Sequence, residues 1–482
     1  MKDTKAKDTK AKDTKEKKTK KTDKPERVTE AWGKYDAAGI AKIDAFCEGY
    51  KEFISNNKTE RECAAAVIAK AEKLGYKNLT DSKSLKAGDR VYYSMMGKAV
   101  ALFVIGTEPI SEGMTSLGAH IDSPRLDLKQ NPVYEDGGLA FLDTHYYGGI
   151  KKYQWVTIPM AIHGVVCRKD GTTVNVSIGE KDGDPVFGIS DLLIHLAADQ
   201  LGKKGATVVE GEALDVTFAS RPIDKDTKNA VKENALKLLK EQYGIGEDDF
   251  LSAELEIVPA GKARDYGIDR SMIMGYGQDD RVCAYPSAEA IFEIKKTKRT
   301  LACLLVDKEE IGSVGATGMH SRFFENCVAE IADRLGQYSE LAVRRAMQNS
   351  FMLSSDVSAA FDPLYGGAFE KNNCAFFGKG VVFNKYTGSR GKSGSNDASP
   401  EYFAQIRKIL DDATVVYQTA ELGKVDQGGG GTIAYIMGNY GMNVIDSGVA
   451  VLNMHAPWEV TSKVDIYEAY LCYVAFLKKI GA

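Results

Sequence analysis

The sequence predicts an α/β fold, a mostly parallel sheet sandwiched by helices, interrupted by an inserted β-rich domain. Three observations carry this. After Met272, short apolar runs such as Leu301–Val306 (LACLLV) alternate with helix-periodic stretches, the pattern of strands covered on both faces. From about Arg125 to Arg270 the texture changes to strand-like runs separated by turns. At 482 residues, 44% hydrophobic and 27% charged, the chain is long enough for two or more domains and a large core.

The amino-terminal stretch repeats KDTKA at Lys2–Ala6 and Lys7–Ala11, then KDTKE at Lys12–Glu16. It holds no apolar residue larger than alanine after Met1, so 1–24 reads as a lysine-rich flexible tail. A tether or address is its alternative use. Lys2–Lys24 carries 11 lysines against Asp3, Asp8, Asp13, Glu16 and Asp23, a balance of +6, so the chain's net −4 leaves −10 for the remainder. An acidic body of this kind argues against nucleic-acid binding. No apolar run approaches the ~18 residues of a membrane span, and no secretory signal is expected. Eight scattered cysteines form no CxxC pair, which argues against a zinc ribbon and for reduced, buried thiols in a cytoplasmic protein.

Folded structure is expected from near Val28. Ala41–Asn56 and Glu60–Leu74 have helical spacing, with Gly75 suited to a C-cap. Val91–Ser94 and Ala99–Ile105 read as strands around Met96–Gly97, and Thr115–Ile121 as a third. Within the insert, Trp155–Ile158, Ala161–Cys167, Thr173–Ile178, Ala213–Phe218 and Glu254–Val258 read as strands and Asp226–Tyr243 as a helix. Beyond it, Glu289–Ile294 is expected to be helical, with Pro286 in its first turn. Helices follow at Phe323–Leu335, Glu340–Met347, Tyr402–Val416 and Thr432–Gly438, with strands at Phe351–Ser355 and Val449–Met454. Lys463–Ile480 closes the chain as an amphipathic helix. The domains are therefore expected at 25–124 plus 274–482, with 125–273 inserted.

Five groups fall at or just beyond expected strand ends: His120 with Asp122, Asp279-Asp280, Glu309-Glu310, Asp356, and His455. Open α/β sheets bind ligands at the carboxyl ends of their strands. Imidazoles and carboxylates without cysteine suit zinc or a related divalent ion. Singly, each has a plainer reading: a core histidine, a turn, a helix cap or a solvated loop. Two divalent ions would keep such a site Lewis-acidic, whereas one would be over-neutralised by the carboxylates. His145, His195 and His320 lack supporting partners in the sequence and read as structural or surface residues, and His163, inside an apolar run, reads by itself as structural.

Two glycine-rich stretches invite nucleotide readings that fail. Gly391-Lys392-Ser393 lacks the earlier glycine of a phosphate loop, Tyr386 standing in its place, and Gly275-Tyr-Gly277 is followed by Asp280 where a dinucleotide fingerprint needs glycine. Gly428–Gly431 suits close passage of backbone instead.

GAHIDSPRLDLK (Gly118–Lys129), GQDDR (Gly277–Arg281), DKEEIGS (Asp307–Ser313), SSDVSAAFDP (Ser354–Pro363) and VLNMHAPWEVTSKVD (Val451–Asp465) occur in this order. Together they resemble the aspartyl aminopeptidase / vacuolar aminopeptidase I family of two-zinc metallopeptidases, over nearly everything after the tail. The resemblance implies that His120 and His455 each bind one zinc and that Asp279 bridges the pair, Asp280 being the other aspartate of that doublet. It implies that Glu310 and Asp356 complete one shell each, that Asp122 orients His120, and that Glu309 is the general base. It implies that His163 reaches a neighbouring subunit's site and donates to the oxyanion. It further implies peptide substrates with a free amino terminus, cobalt or manganese as substitutes for zinc, and a homo-dodecamer built from dimers.

An acidic first residue would need a basic partner among Lys385, Arg390 and Lys392, but their spacing departs from the acid-selective members, so a broader or apolar preference stands beside it. The competing functions are another two-zinc amide hydrolase, such as a carboxypeptidase or deacylase, and a packaged scaffold addressed by its tail.

Overall fold

The computed structural model describes residues 29–481; the lysine-rich stretch 1–24 lies outside them. A nine-stranded sheet runs in the order Lys77–Asn78, Arg90–Met95, Ala99–Val104, Thr300–Val306, Met114–His120, Phe351–Ser355, Asn443–Gly448, Val381–Asn384, Tyr417–Thr419. Its four middle strands, Thr300–Val306 to Asn443–Gly448, are mutually parallel, and antiparallel pairs flank them on both sides.

The apolar runs are continuous because both faces are covered. Leu301, Cys303 and Leu305 point into one core, shared with helices Ala37–Asn56, Glu60–Lys73, Pro400–Asp412 and Lys463–Lys479. Ala302, Leu304 and Val306 point into the other, under Phe323–Arg334, Glu340–Gln348 and Ala434–Gly438. Helix Glu60–Lys73 begins with a capping box: the Glu62 N–H donates to Thr59 Oγ1 at 3.2 Å and the Thr59 N–H to Glu62 Oε2 at 3.1 Å.

The insert forms a six-stranded, wholly antiparallel sheet in the order Thr173–Ile178, Met160–Cys167, Ala253–Pro259, Arg125–Asp136, Leu139–Tyr147, Val216–Ala219. That sheet ends at Pro259. The next strands, Arg264–Tyr266 and Met272–Gly275, join Glu459–Ser462, Ala450–Leu452 and Ser358–Ala359 in a third sheet.

Several sequence expectations need correction. Trp155–Ile158 is not a strand; Trp155 is buried after a short 3-10 turn and Thr157 has φ +61°. Arg125–Asp136 and Leu139–Tyr147 form a long hairpin absent from the expected strands; its turn is Gly137-Gly138, both with positive φ. The strand expected at Val449–Met454 is shorter, Ala450–Leu452, and lies in the small sheet; Asn453, with φ +61°, follows it. Pro286 lies inside the helical span Gln278–Glu293 rather than in a first turn; its lost hydrogen bond is outweighed by burial along that span. The closing helix Lys463–Lys479 is buried on nearly all sides rather than amphipathic. Its polar positions are satisfied internally: Asp465 accepts the N–H groups of Gly378 and Gly380 at 2.8 and 2.7 Å, and Glu468 pairs with Lys34 at 2.8 Å.

Candidate metal centre

Strand register brings the site together. Val306 pairs with His120, and Ser354 with Gly118. His120, the loop beginning at Asp307 and Asp356 therefore emerge side by side at the carboxyl ends of adjacent parallel strands. Asp279 arrives from the start of Gln278–Glu293, where it and Asp280 have non-helical dihedrals. His455, with φ +65°, arrives from the turn joining Ala450–Leu452 to Glu459–Ser462.

Asp279 sits between the two imidazoles. Its Oδ1 is 3.1 Å from His120 Nε2 and its Oδ2 is 3.2 Å from His455 Nε2. Glu310 Oε2 lies 3.5 Å from His455 Nε2. The ligand atoms of His120, Asp279 and Asp356 lie within 4.8 Å of one another, as do those of Asp279, Glu310 and His455. Asp280 takes no such position: its Oδ2 accepts the His120 backbone N–H at 3.3 Å.

Each imidazole is oriented from behind. His120 Nδ1 is 3.0 Å from the Asp122 carbonyl and His455 Nδ1 is 2.8 Å from the Gly149 carbonyl. A carbonyl can only accept, so Nδ1 carries a proton, and this leaves Nε2 as the nitrogen that would face a bound cation. Asp122 also accepts the Glu309 and Glu310 backbone N–H groups, both at 3.2 Å, and the Tyr147 hydroxyl at 2.8 Å.

The electrostatics fit a cation. Burial raises the Glu310 and Asp356 carboxyls well above the usual carboxylate range, with neighbouring carboxylates adding to it. Burial also raises the Asp279 carboxyl, but the facing His120 and His455 outweigh this and hold it low. Burial pulls His455 down, yet Asp279 and Glu310 carry it up to about 10. Burial pushes Glu309 up to about 7; His120 opposes this, and Asp122 and Asp279 reinforce it. The buried Oε1 of Glu310 has no hydrogen-bond partner. Two sets of three nitrogen and oxygen donors sharing one aspartate therefore suit zinc chemistry. A third acidic group, Glu60, Glu254 and Glu256, does not: Lys98 and Arg125 already neutralise it at 2.9–3.2 Å.

A cleft of about 460 Å³ opens over the cluster, lined by Asp279, Glu309, Glu310, Asp356 and His455 and continuing to Leu422, Gly429–Gly431 and Met454. The match of the family described as Aminopeptidase I zinc metalloprotease (M18) spans residues 53–477. The chain belongs to the M18 aminopeptidase family. It is a metallo-aminopeptidase, a hydrolase of peptide bonds. A curated relative from Clostridium acetobutylicum, named a probable M18 family aminopeptidase 1, is 63% identical over 93% of this chain and 97% of its own. The crystal structure of aminopeptidase I from that organism superimposes with a TM-score of 0.88 at 61% identity, covering 93% of this chain and 99% of the other. The M18 aminopeptidase of Thermotoga maritima gives 0.91 at 42% identity, covering 95% and 100%.

His163 does not join the cluster. Its Nδ1 is 2.8 Å from Glu62 and its Nε2 is 3.3 Å from Glu180, so both ring nitrogens are committed within the chain. Within one subunit the imidazole is 2% exposed; a role toward a neighbouring subunit's site stays a proposal of the family resemblance. His145 and His195 are exposed; His320, also exposed, hydrogen-bonds the hydroxyl of Tyr435, a cleft residue, at 2.8 Å.

Sequence reasoning missed Tyr147, Gly149 and Glu459. Glu459 is buried and accepts three backbone N–H groups, from Gln278 at 2.6 Å, Asp279 at 3.1 Å and His455 at 2.9 Å. Its place four residues after His455, inside the quoted motif, was the available signal.

Proposed function

We propose that this M18 enzyme holds two zinc ions per subunit and removes amino-terminal residues from peptides with Glu309 as general base. His120, Asp279 and Asp356 would hold one ion; Asp279, Glu310 and His455 the other. The position of Asp279, one oxygen facing each imidazole, is the observation that carries this reading. When bound, zinc supplies Lewis acidity that lowers the pKa of water and polarises a carbonyl oxygen; cobalt or manganese could substitute.

The chain's own residues supply the proton handling. Glu309 lines the cleft and is held through its backbone N–H by Asp122. Its carboxylate accepts the proton from the attacking water and delivers it to the leaving amine. Asp122 holds the His120 ring through its backbone and carboxylate oxygens, at 3.0 and 3.3 Å. The cluster's carboxylates face the substrate's free α-ammonium group, so a blocked amino terminus is a poor substrate.

The cleft walls favour a neutral first residue. Beyond the cluster they present Val357, Leu422, Met454, Asn384 and Thr387, with no lysine or arginine among the lining residues. Lys385 and Lys392 instead pair with Asp397, each at 3.2 Å. A homo-dodecamer built from dimers, and a cytoplasmic setting in keeping with eight free thiols, complete the proposal. No helix among the described residues is long and apolar enough to cross a membrane.

Metal analysis of purified protein tests the reading. Two zinc ions per subunit are expected in wild type and in Glu309→Gln, with turnover lost only in the variant. One ion in wild type, or activity in the variant, contradicts it.

A further inference from the structure

The insert touches the metal cluster of its own chain through three consecutive residues at the end of strand Leu139–Tyr147. The Tyr147 hydroxyl donates to Asp122 Oδ2 at 2.8 Å. The Gly149 carbonyl accepts from His455 Nδ1 at 2.8 Å. Gly148, with φ +77°, passes so close that a β-carbon there would stand 3.2 Å from Glu310 Oε2 and 3.4 Å from Glu310 Cβ.

We propose that Tyr147-Gly148-Gly149 is the positioning element of the dinuclear centre, through which the inserted sheet sets both ends of the site in cis. The proposal rests on the two-zinc reading above. Tyr147 is buried, and its ring lies under Arg125, whose guanidinium carbon is 3.9 Å from the ring centroid. Arg125 is in turn anchored by Glu60 at 3.2 Å and Glu256 at 3.2 Å. The hydroxyl is thus a donor fixed by the insert, aimed at the carboxylate that orients His120 and the Glu309–Glu310 backbone.

Gly149 supplies the acceptor that selects the His455 tautomer. No side chain of the peptidase sheet does this. Glycine at 148 is required twice over, by its left-handed backbone and by the proximity of Glu310. Outer partners of this kind typically change metal affinity by about 10–100-fold when removed.

The two halves of the segment reach the centre by different routes, Tyr147 through Asp122, which holds both His120 and the Glu310 backbone, and Gly148 through Glu310 alone, which makes the proposal separable from a merely structural role. Tyr147→Phe keeps the ring under Arg125 and removes only the hydroxyl that meets Asp122 Oδ2 beside the Glu310 N–H, so it should weaken both ions, through His120 and through Glu310. Gly148→Ala crowds Glu310 and should weaken the ion held with His455. Metal-free full-length protein is titrated with zinc against a chromogenic chelator, which resolves two affinities without using activity. Melting midpoints of the metal-free proteins are recorded alongside.

The expected result is a loss of about 10-fold or more in both affinities for Tyr147→Phe and in the ion held with His455 alone for Gly148→Ala, with the Tyr147→Phe midpoint unchanged. Both affinities within two-fold of wild type in both variants would overturn the proposal. So would joint loss of both affinities with a lowered midpoint, which would make the segment a structural strap. Wild-type protein that binds fewer than two zinc ions would overturn the two-ion reading first, and this proposal with it.

Discussion

Glu459 Oε1 accepts the backbone N–H of His455 at 2.9 Å. Its other oxygen takes the N–H groups of Gln278 and Asp279 at 2.6 and 3.1 Å. One buried carboxylate thus fixes the backbones of two proposed ligands that are remote in sequence. Glu459→Gln keeps the shape but turns an amide donor toward backbone donors. The expected cost is about 1–3 kcal/mol of folding stability, with weaker zinc binding, read by denaturant titration and chelator competition.

Glu309→Gln should retain zinc and lose about 10²–10⁴-fold in turnover, the usual range for a positioned general base. Steady-state kinetics on a peptide substrate, beside metal analysis of the same sample, checks both halves.

His163→Phe should leave zinc content intact and reduce stability. Burial lowers the pKa of His163, but the hydrogen bonds to Glu180 and Glu62 outweigh it and raise the folded value above the ordinary one. A raised folded pKa favours folding while the ring is protonated. The contribution is therefore fully present below about pH 6.5 and is lost as pH rises through the folded value. Leaving Glu62 and Glu180 without the ring should cost roughly 3 kcal/mol at pH 6, with the gap between wild type and variant narrowing at higher pH. Unfolding curves across that range check the sign.

Peptides with a neutral first residue should be cleaved better than peptides with a first Asp or Glu, because among the described residues no lysine or arginine lines the cleft over the cluster. Comparing kcat/KM for a first Leu, Met, Asp and Glu tests this directly.

The large sheet was readable where local pattern and burial agree. Leu301–Val306 is apolar at every position because alternate residues enter different cores. The positions of His120, Asp279, Glu309, Glu310, Asp356 and His455 were legible because strand ends carry them and the motifs are ordered. What was not legible depends on packing between distant segments. Nothing local to Tyr147 or Gly149 announces that a hydroxyl and a carbonyl from the insert meet Asp122 and His455. Nothing local to His163 announces that Glu62 and Glu180 meet its ring at 2.8 and 3.3 Å. The strand Asn443–Gly448 was missed because Asp446 and Ser447 break its apolar run; both are buried, with Thr432 Oγ1 donating to Asp446 at 2.6 Å.

The central claim is metal-dependent release of amino-terminal residues. It is tested most directly by measuring that release from matched free and acetylated peptides, before chelation, after it, and after zinc is restored. Cleavage confined to free amino termini, abolished by chelation and recovered with zinc, is the expected result. Equal cleavage of acetylated peptides, or activity that survives complete removal of metal, would contradict it.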